Sequence, residues 1–270
     1  MPKGHKLNGS YIGSSTANFL TGGKFDRQTQ RKFRASDSWG YIFNGLYLNF
    51  DALNAQSYPG TGTTMTNVGA LNDGSQTVLV LNGTNTYSSN GYFIMENTSY
   101  YDVAYISGAT NNFTYELWAR PRATHQIDAE NNGGADGVAG QKYIIGAAQA
   151  GAVTGGAGIS CGTNGVSVYE HGDGYMPALL VWSGTLSSTA FTHIVVTYTS
   201  RVPKLYINGS LVRTGLVSGR ATSIQAGYNI GYGSYGAFTG DWAIARYYNR
   251  TISDTEITQN FNALKGRFGL

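Results

Sequence analysis

Apolar and polar positions alternate with period two along most of this chain. Residues 191–215 (FTHIVVTYTSRVPKLYINGSLVRTG) show it best: Ile194, Val196 and Tyr198 interleave with Val195 and Thr197, and Leu205 and Ile207 flank Tyr206. This is the signature of strands with two distinct faces. Asn208-Gly209 follows at once and suits a type I′ hairpin turn, whose two central residues both need positive φ. The same alternation, broken by Gly and Asn, predicts strands at 46–50, 77–81, 92–96, 102–106, 113–120, 143–148, 158–161, 166–170, 178–182, 193–199, 204–207, 210–213, 228–232 and 241–248. Strands this numerous predict two packed antiparallel sheets.

Two segments depart from the pattern. Residues 1–24 have scattered apolar positions and no sustained period, which predicts an extended arm. In residues 25–35, Asp26 stands where an N-cap belongs, predicting a short basic helix, and residues 36–45 then link it to the sandwich. At the other end, Ser253 and Glu256 have capping-box spacing, Ile257, Phe261 and Leu264 share one side, and Gly266 is the expected stop. Residues 131–140 (NNGGADGVAG) and 146–158 (GAAQAGAVTGGAG) are of low complexity and are predicted to be flexible loops between sheets. The expected organisation is an anchoring arm over 1–45 and a β-sandwich over 46–270.

Composition refines this picture. The 270 residues include 38 Gly and 20 Tyr but only 12% charged residues, as many short strands and tight turns require. The net charge of +3 hides an asymmetry, because residues 1–40 hold seven basic side chains (Lys3, Lys6, Lys24, Arg27, Arg31, Lys32 and Arg34) against Asp26 and Asp37. A single cysteine, Cys161, excludes an internal disulfide framework and any multi-cysteine zinc site, and is expected to be a small buried residue. No apolar run is long enough to span a membrane, and the polar N-terminus has no signal-peptide core, so synthesis is expected to end in the cytoplasm. The Asn-x-Ser/Thr triplets at Asn82, Asn97, Asn112 and Asn208 are therefore read as by-products of composition.

Several stretches, in order, resemble landmarks of the laminin G-like branch of the concanavalin A-type lectin/glucanase sandwiches: LYLNFDALNAQSYPGTGTTMTNV at 46–68, FTYELWARP at 113–121, FTHIVVTY with LYINGSLV, YNIGYG at 228–233, and YYNRTISDTEITQNFNALKGRF at 247–268. The resemblance implies an all-β, antiparallel jelly-roll sandwich with an extended N-terminal arm and a short C-terminal helix. The closing stretch, joined to a Gly-rich arm with a basic helix, is also similar to tailed-bacteriophage virion proteins that carry such a sandwich. That implies a non-enzymatic structural component of the virion (capsid decoration, head fibre or tail-associated), made in the host cytoplasm. The seven arm cations would dock on other virion proteins, in preference to nucleic acid or a membrane. Tyr-rich strand faces suit a homo-oligomer, although the same tyrosines could fill the sandwich.

Candidate chemistry is sparse. Glycosidases on this architecture need two carboxylates on neighbouring positions of one sheet, and no E-x-D-x-E strand is present. Glu170 and Asp173 are close, but Gly172 and Gly174 place the aspartate in a turn. Calcium would need loop oxygens such as Asp128, Glu130, Asn131, Asn132 and Asp136. Where many relatives carry an Asp-Glu pair, this chain has Ala243 and Ile244, so a solvated loop is the favoured reading and no cofactor is expected. Tyr169, His171, Asp173 and Tyr175 gather around a glycine turn, and aromatic rings beside hydrogen-bonding groups are what a sugar requires. They are the candidate glycan site of an adhesin, the alternative to a purely architectural part; paired core-edge residues are the plainer reading. Trp118 and Trp182 are expected as core anchors, and His5, His125 and His193 share no metal-ligand spacing.

Overall fold

The computed structural model describes residues 40–69, 78–83, 86–96, 100–102, 109–227 and 229–270. The basic arm residues Lys3, Lys6, Lys24, Arg27, Arg31, Lys32 and Arg34, and the helix expected at 25–35, lie outside them.

In chain order the strands are β1 (Leu46–Asp51), β2 (Thr64–Thr66), β3 (Val78–Asn82), β4 (Thr86–Ser88), β5 (Tyr92–Met95), β6 (Tyr100–Asp102), β7 (Phe113–Pro121), β8 (Tyr143–Ile145), β9 (Thr154–Gly162), β10 (Gly165–His171), β11 (Ala178–Trp182), β12 (Thr192–Thr199), β13 (Val202–Ile207), β14 (Ser210–Thr214), β15 (Ser223–Ala226), β16 (Tyr232–Gly233), β17 (Gly236–Ala237) and β18 (Gly240–Tyr248). Helix α1 (Asp254–Leu264) follows. Among the described residues, one sheet has the order β14-β13-β12-β7-β18-β5-β4, with β1 also on β18; a second has β11-β10-β9-β8-β17-β16, with β15 parallel to β9. Strands β2, β3 and β6 form a small third sheet.

Alternation decides which side chains enter the core between the two large sheets. From β7, Phe113, Tyr115, Leu117 and Ala119 point inward and meet Ile159 and Cys161 of β9 and Val166 and Val168 of β10. The outward set, including Trp118, lies beneath α1, with Ile257 and Leu264 buried over the sheet. A bulge between Trp242 and Ile244 lets β18 serve both layers, Trp242 inward and Ala243 and Ile244 toward α1. The described interior holds an apolar cavity of about 20 Å³ lined by residues such as Leu48, Tyr115 and Ile230, with room for no more than one water.

The Asn208-Gly209 turn adopts φ of 49° and 79°, as its type I′ hairpin demands. Ser253 caps α1 with the reciprocal Glu256 contact. The helix does not stop at Gly266: residues Lys265–Phe268 tighten into a 3-10 turn and Gly269 ends it at φ 74°. The stretch 146–158 is not wholly loop, since β9 begins at Thr154 and pairs with both β10 and β15. Its glycines disguise a strand: a Cβ at Gly156 would stand 1.9 Å from the Ala148 carbonyl oxygen, so only glycine fits there. Trp182 sits half-buried at an edge strand, whereas Trp118 is fully buried, under α1 and outside the inter-sheet core.

Candidate functional site

Strand β10 sends alternate residues to opposite sides, and this separates the four residues gathered by the sequence. Tyr169 faces outward and is buried; its hydroxyl donates to Asp128 Oδ2 at 2.5 Å and accepts from Gln141 Nε2 at 2.6 Å. His171, half-buried, has Nδ1 3.1 Å from the Ala147 carbonyl oxygen. Asp173 is exposed in the turn and accepts from Gln149 Nε2. Tyr175 turns toward the interior end of the sandwich, where its hydroxyl donates to Glu170 Oε2 at 3.1 Å and Arg220 lies 4.1 Å over its ring. The structure therefore brings Tyr169 to one centre and Tyr175 to another, on opposite sides of the sheet.

The Tyr175 centre is built on Glu170, which follows Val166 and Val168 on the inward face of β10. Ser218 Oγ also donates to Glu170. Burial pushes the carboxyl up to about 7, against the pull of Ser218, Tyr175 and Tyr198 hydroxyls and the charge of Arg201. It is one carboxyl in a closed interior.

The Tyr169 centre is more extensive. Tyr143, Ser160 and Ser167 stand opposite one another on β8, β9 and β10, forming a polar row across the outer face of the second sheet. Ser160 Oγ accepts from the Lys142 backbone N–H at 2.9 Å and lies 3.0 Å from His125 Nδ1. The rings of Tyr143, Tyr169 and Tyr235, with Met176, supply the apolar part. Residues 122–142 run over this row as a roof, whose ends are joined by the Gln126 N–H donating to the Gly140 carbonyl at 3.0 Å. Burial lowers His125 to about 4, so its imidazole is neutral at neutral pH.

Two of the acids considered for calcium have partners within the chain. Asp128 holds Tyr169 and Gln141, and Glu130 accepts from Arg213 Nε at 2.8 Å and from the Val181 N–H at 2.9 Å. No group of three or more His, Cys, Asp or Glu side chains among the described residues is placed to hold a metal. Cys161 is buried in the core, and burial pushes its thiol up.

Residues 95–258 match the laminin G profile of the Concanavalin A-like lectin/glucanases superfamily. The chain belongs to this superfamily. No curated protein matches it. Among solved structures, domain 4 of an extracellular arabinanase from Geobacillus stearothermophilus, in complex with arabinotriose, is similar over 80% of this chain and 98% of that one (TM-score 0.52, 14% identity). The binding domain of botulinum neurotoxin DC, in complex with rat synaptotagmin II, matches over 82% of this chain and 52% of that one (TM-score 0.55, 13% identity). Trypanosoma rangeli sialidase matches over 83% and 33% (TM-score 0.53, 16% identity). At these identities the likeness shows a concanavalin A-like fold and leaves chemistry to the residues.

Within that sandwich, sequence reading found Tyr169 and missed His125, Asp128 as its partner, Gln141, Tyr143, Ser160 and Ser167. The alternation of β10 placed Ser167 beside Tyr169 on one face. The pairing that sets Ser160 opposite Ser167, and the roof that brings His125 and Gln141 over them, are long-range facts.

Proposed function

We propose that this chain is a non-enzymatic structural protein of a bacteriophage virion that displays a carbohydrate-binding sandwich. One geometric observation carries the reading. The chain enters the sandwich against the outer face of the first sheet, opposite the polar row. There Ile42 N–H donates to Asn260 Oδ1 at 2.6 Å, Tyr248 donates to the Ile42 carbonyl at 3.1 Å, and Tyr41 lies 3.5 Å beneath the Arg246 guanidinium. Residues 41 and 42 are thereby fixed on the face of the first sheet that lies away from the second. The basic arm supplies charge complementarity to acidic virion proteins, with no membrane involved. No helix among the described residues is long and apolar enough to cross a membrane.

The adhesin reading is the second half of the same proposal. It is supported by structural neighbours in complex with arabinotriose and with sialic acid, and by the likeness to botulinum neurotoxin type C, whose cell entry depends on interaction with two ganglioside molecules. Non-enzymatic character is supported by the disposition of carboxyls: Glu170 points inward, and Asp128 is committed to three donors. The test is particle assembly with full-length protein and a variant lacking residues 1–39. Incorporation is expected for the first and lost for the second; equal incorporation defeats the anchoring claim.

A further inference from the structure

Asparagine followed by glycine is open to a spontaneous change of the main chain, because glycine has no Cβ to shield its amide nitrogen from the asparagine side chain. Six such pairs occur among the described residues: Asn44-Gly45, Asn82-Gly83, Asn90-Gly91, Asn132-Gly133, Asn164-Gly165 and Asn208-Gly209. They are alike in sequence, and the fold separates them. We infer that Asn44 is a modification site, converting without an enzyme to isoaspartate at the joint between the chain's entry and β1.

The reaction needs two uncommitted groups. The Gly45 nitrogen, on losing its proton to base, attacks Asn44 Cγ; the Cγ–Nδ2 bond breaks, ammonia leaves and a cyclic imide closes. Water then opens the imide at either carbonyl, giving aspartate or isoaspartate, with no change of oxidation state. A hydrogen bond that holds the side-chain amide or the glycine N–H must break first, and each slows the attack about fivefold.

Five pairs carry such a bond. Asn208 Oδ1 accepts from the His193 N–H at 3.0 Å, and Asn164 binds the His125 backbone through both amide atoms at 2.9 Å. Asn132 Nδ2 donates to the Val217 carbonyl at 3.1 Å, and the Gly133 N–H donates to Asn131 Oδ1 at 2.9 Å. The Gly91 N–H donates to the Ser88 carbonyl at 2.8 Å, and Asn82 Nδ2 reaches the Val80 carbonyl at 3.5 Å. Asn44 differs. It is exposed, and neither its side-chain amide nor the Gly45 N–H has a hydrogen-bond partner among the described residues. The turn explains this: the Leu46 N–H closes on the Phe43 carbonyl at 3.0 Å and Gly45 has φ 76°, so Asn44 and Gly45 hold the central positions of a type II turn, outside its hydrogen bond.

The fold also receives the product. In isoaspartate the former main-chain carbonyl of Asn44 becomes the free carboxylate. That oxygen already accepts from Arg250 Nε at 2.9 Å, and a charged acceptor there makes the stronger bond. Ile42 is held to Asn260 at 2.6 Å on one side, and the Gly45 carbonyl accepts from the Asn249 N–H at 2.9 Å on the other. The added main-chain atom therefore falls between two anchored points.

The test incubates the full chain in warm, mildly alkaline buffer beside a synthetic peptide of residues 42–47 as the unfolded reference. Peptide mass mapping follows each of the six asparagines, and electron-transfer fragmentation separates isoaspartate from aspartate. Asn44 should convert at least about fivefold faster than any of the other five. Its isoaspartate share should exceed that of the peptide, and Arg250→Gln should bring the share down to the peptide's value. The inference is overturned if another of the six converts as fast as Asn44, if Asn44 persists while the peptide converts, or if the parent's isoaspartate share equals the peptide's.

Discussion

Glu170 and Glu116 are both fully buried, and their surroundings move them in opposite directions. Burial dominates at Glu170 and raises it to about 7. At Glu116 burial also pushes upward, but Arg246, His193 and the Tyr248 hydroxyl outweigh it and hold the carboxyl at about 2. The consequences for stability have opposite signs. Between the ordinary carboxylate value near 4.5 and 7, the folded state holds a proton at Glu170 that the unfolded state has released, so stability falls as pH rises through that window. Glu116 contributes stability above 4.5 that is lost as pH falls toward 2. A Glu170→Gln variant should therefore match the parent near pH 5 and be more stable by roughly 3 kcal/mol at pH 8. Denaturant unfolding of both proteins at the two values checks this, and parallel pH profiles would show that Glu170 is not the titrating group. Much of this was legible: Val166, Val168 and Glu170 share an alternation, which puts the glutamate on the apolar face. Its partners Ser218 and Tyr198 were not, because they come from loops and strands remote in sequence.

At the scale of elements, what could be read was what local chemistry sets. The Ser253 and Glu256 capping box needs only residues three apart, and it forms: the Glu256 N–H donates to Ser253 Oγ at 3.3 Å, and the Ser253 N–H to Glu256 Oε2 at 2.8 Å. Ser253→Ala should cost about 1 kcal/mol, measured as a lowered midpoint with an unchanged denaturant slope; an unaltered midpoint would mean that packing alone holds α1. Arg250 reinforces the same glutamate through both guanidinium nitrogens, at 2.9 and 2.6 Å. Where tertiary context supplies the stabilisation, local reading stopped short. The turn past Gly266 persists because Phe268 stacks on Trp118 at 4.2 Å and Arg267 bridges to Asp51 at 2.8 Å. The start of β9 was hidden because its buried residues are glycine and alanine, which carry no alternation of hydrophobicity although their backbones pair on both sides.

Across the whole molecule, one polar network ties the chain's entry point to its last helix. Arg246 donates to Glu116 Oε1 at 3.0 Å and to Asn49 Oδ1 at 3.1 Å. His193 Nε2 lies 3.2 Å from the same carboxylate, and Asn260 of α1 donates to Glu116 Oε2 at 2.6 Å. Removing one partner strands the others in a dry interior. Arg246→Met should destabilise the fold by about 3–5 kcal/mol, and adding Glu116→Gln should recover part of that loss. A thermodynamic cycle over the two single variants and the double measures it, and strict additivity would mean the pair does not couple. Residues 40–44, which sequence reading placed in the linker, join this network through Tyr41 and Ile42. Sequence alone determined the all-β class, most of the strands, the Asn208-Gly209 hairpin and the capped helix. Alternation, turn stereochemistry and capping act between residues close along the chain. Tertiary structure decided which strands pair and in what register. It therefore decided that Tyr169 and Tyr175 serve different centres, and that His125, Tyr143, Ser160 and Ser167 meet on one face, because side chains converge across a sheet only once distant segments have been hydrogen-bonded into place.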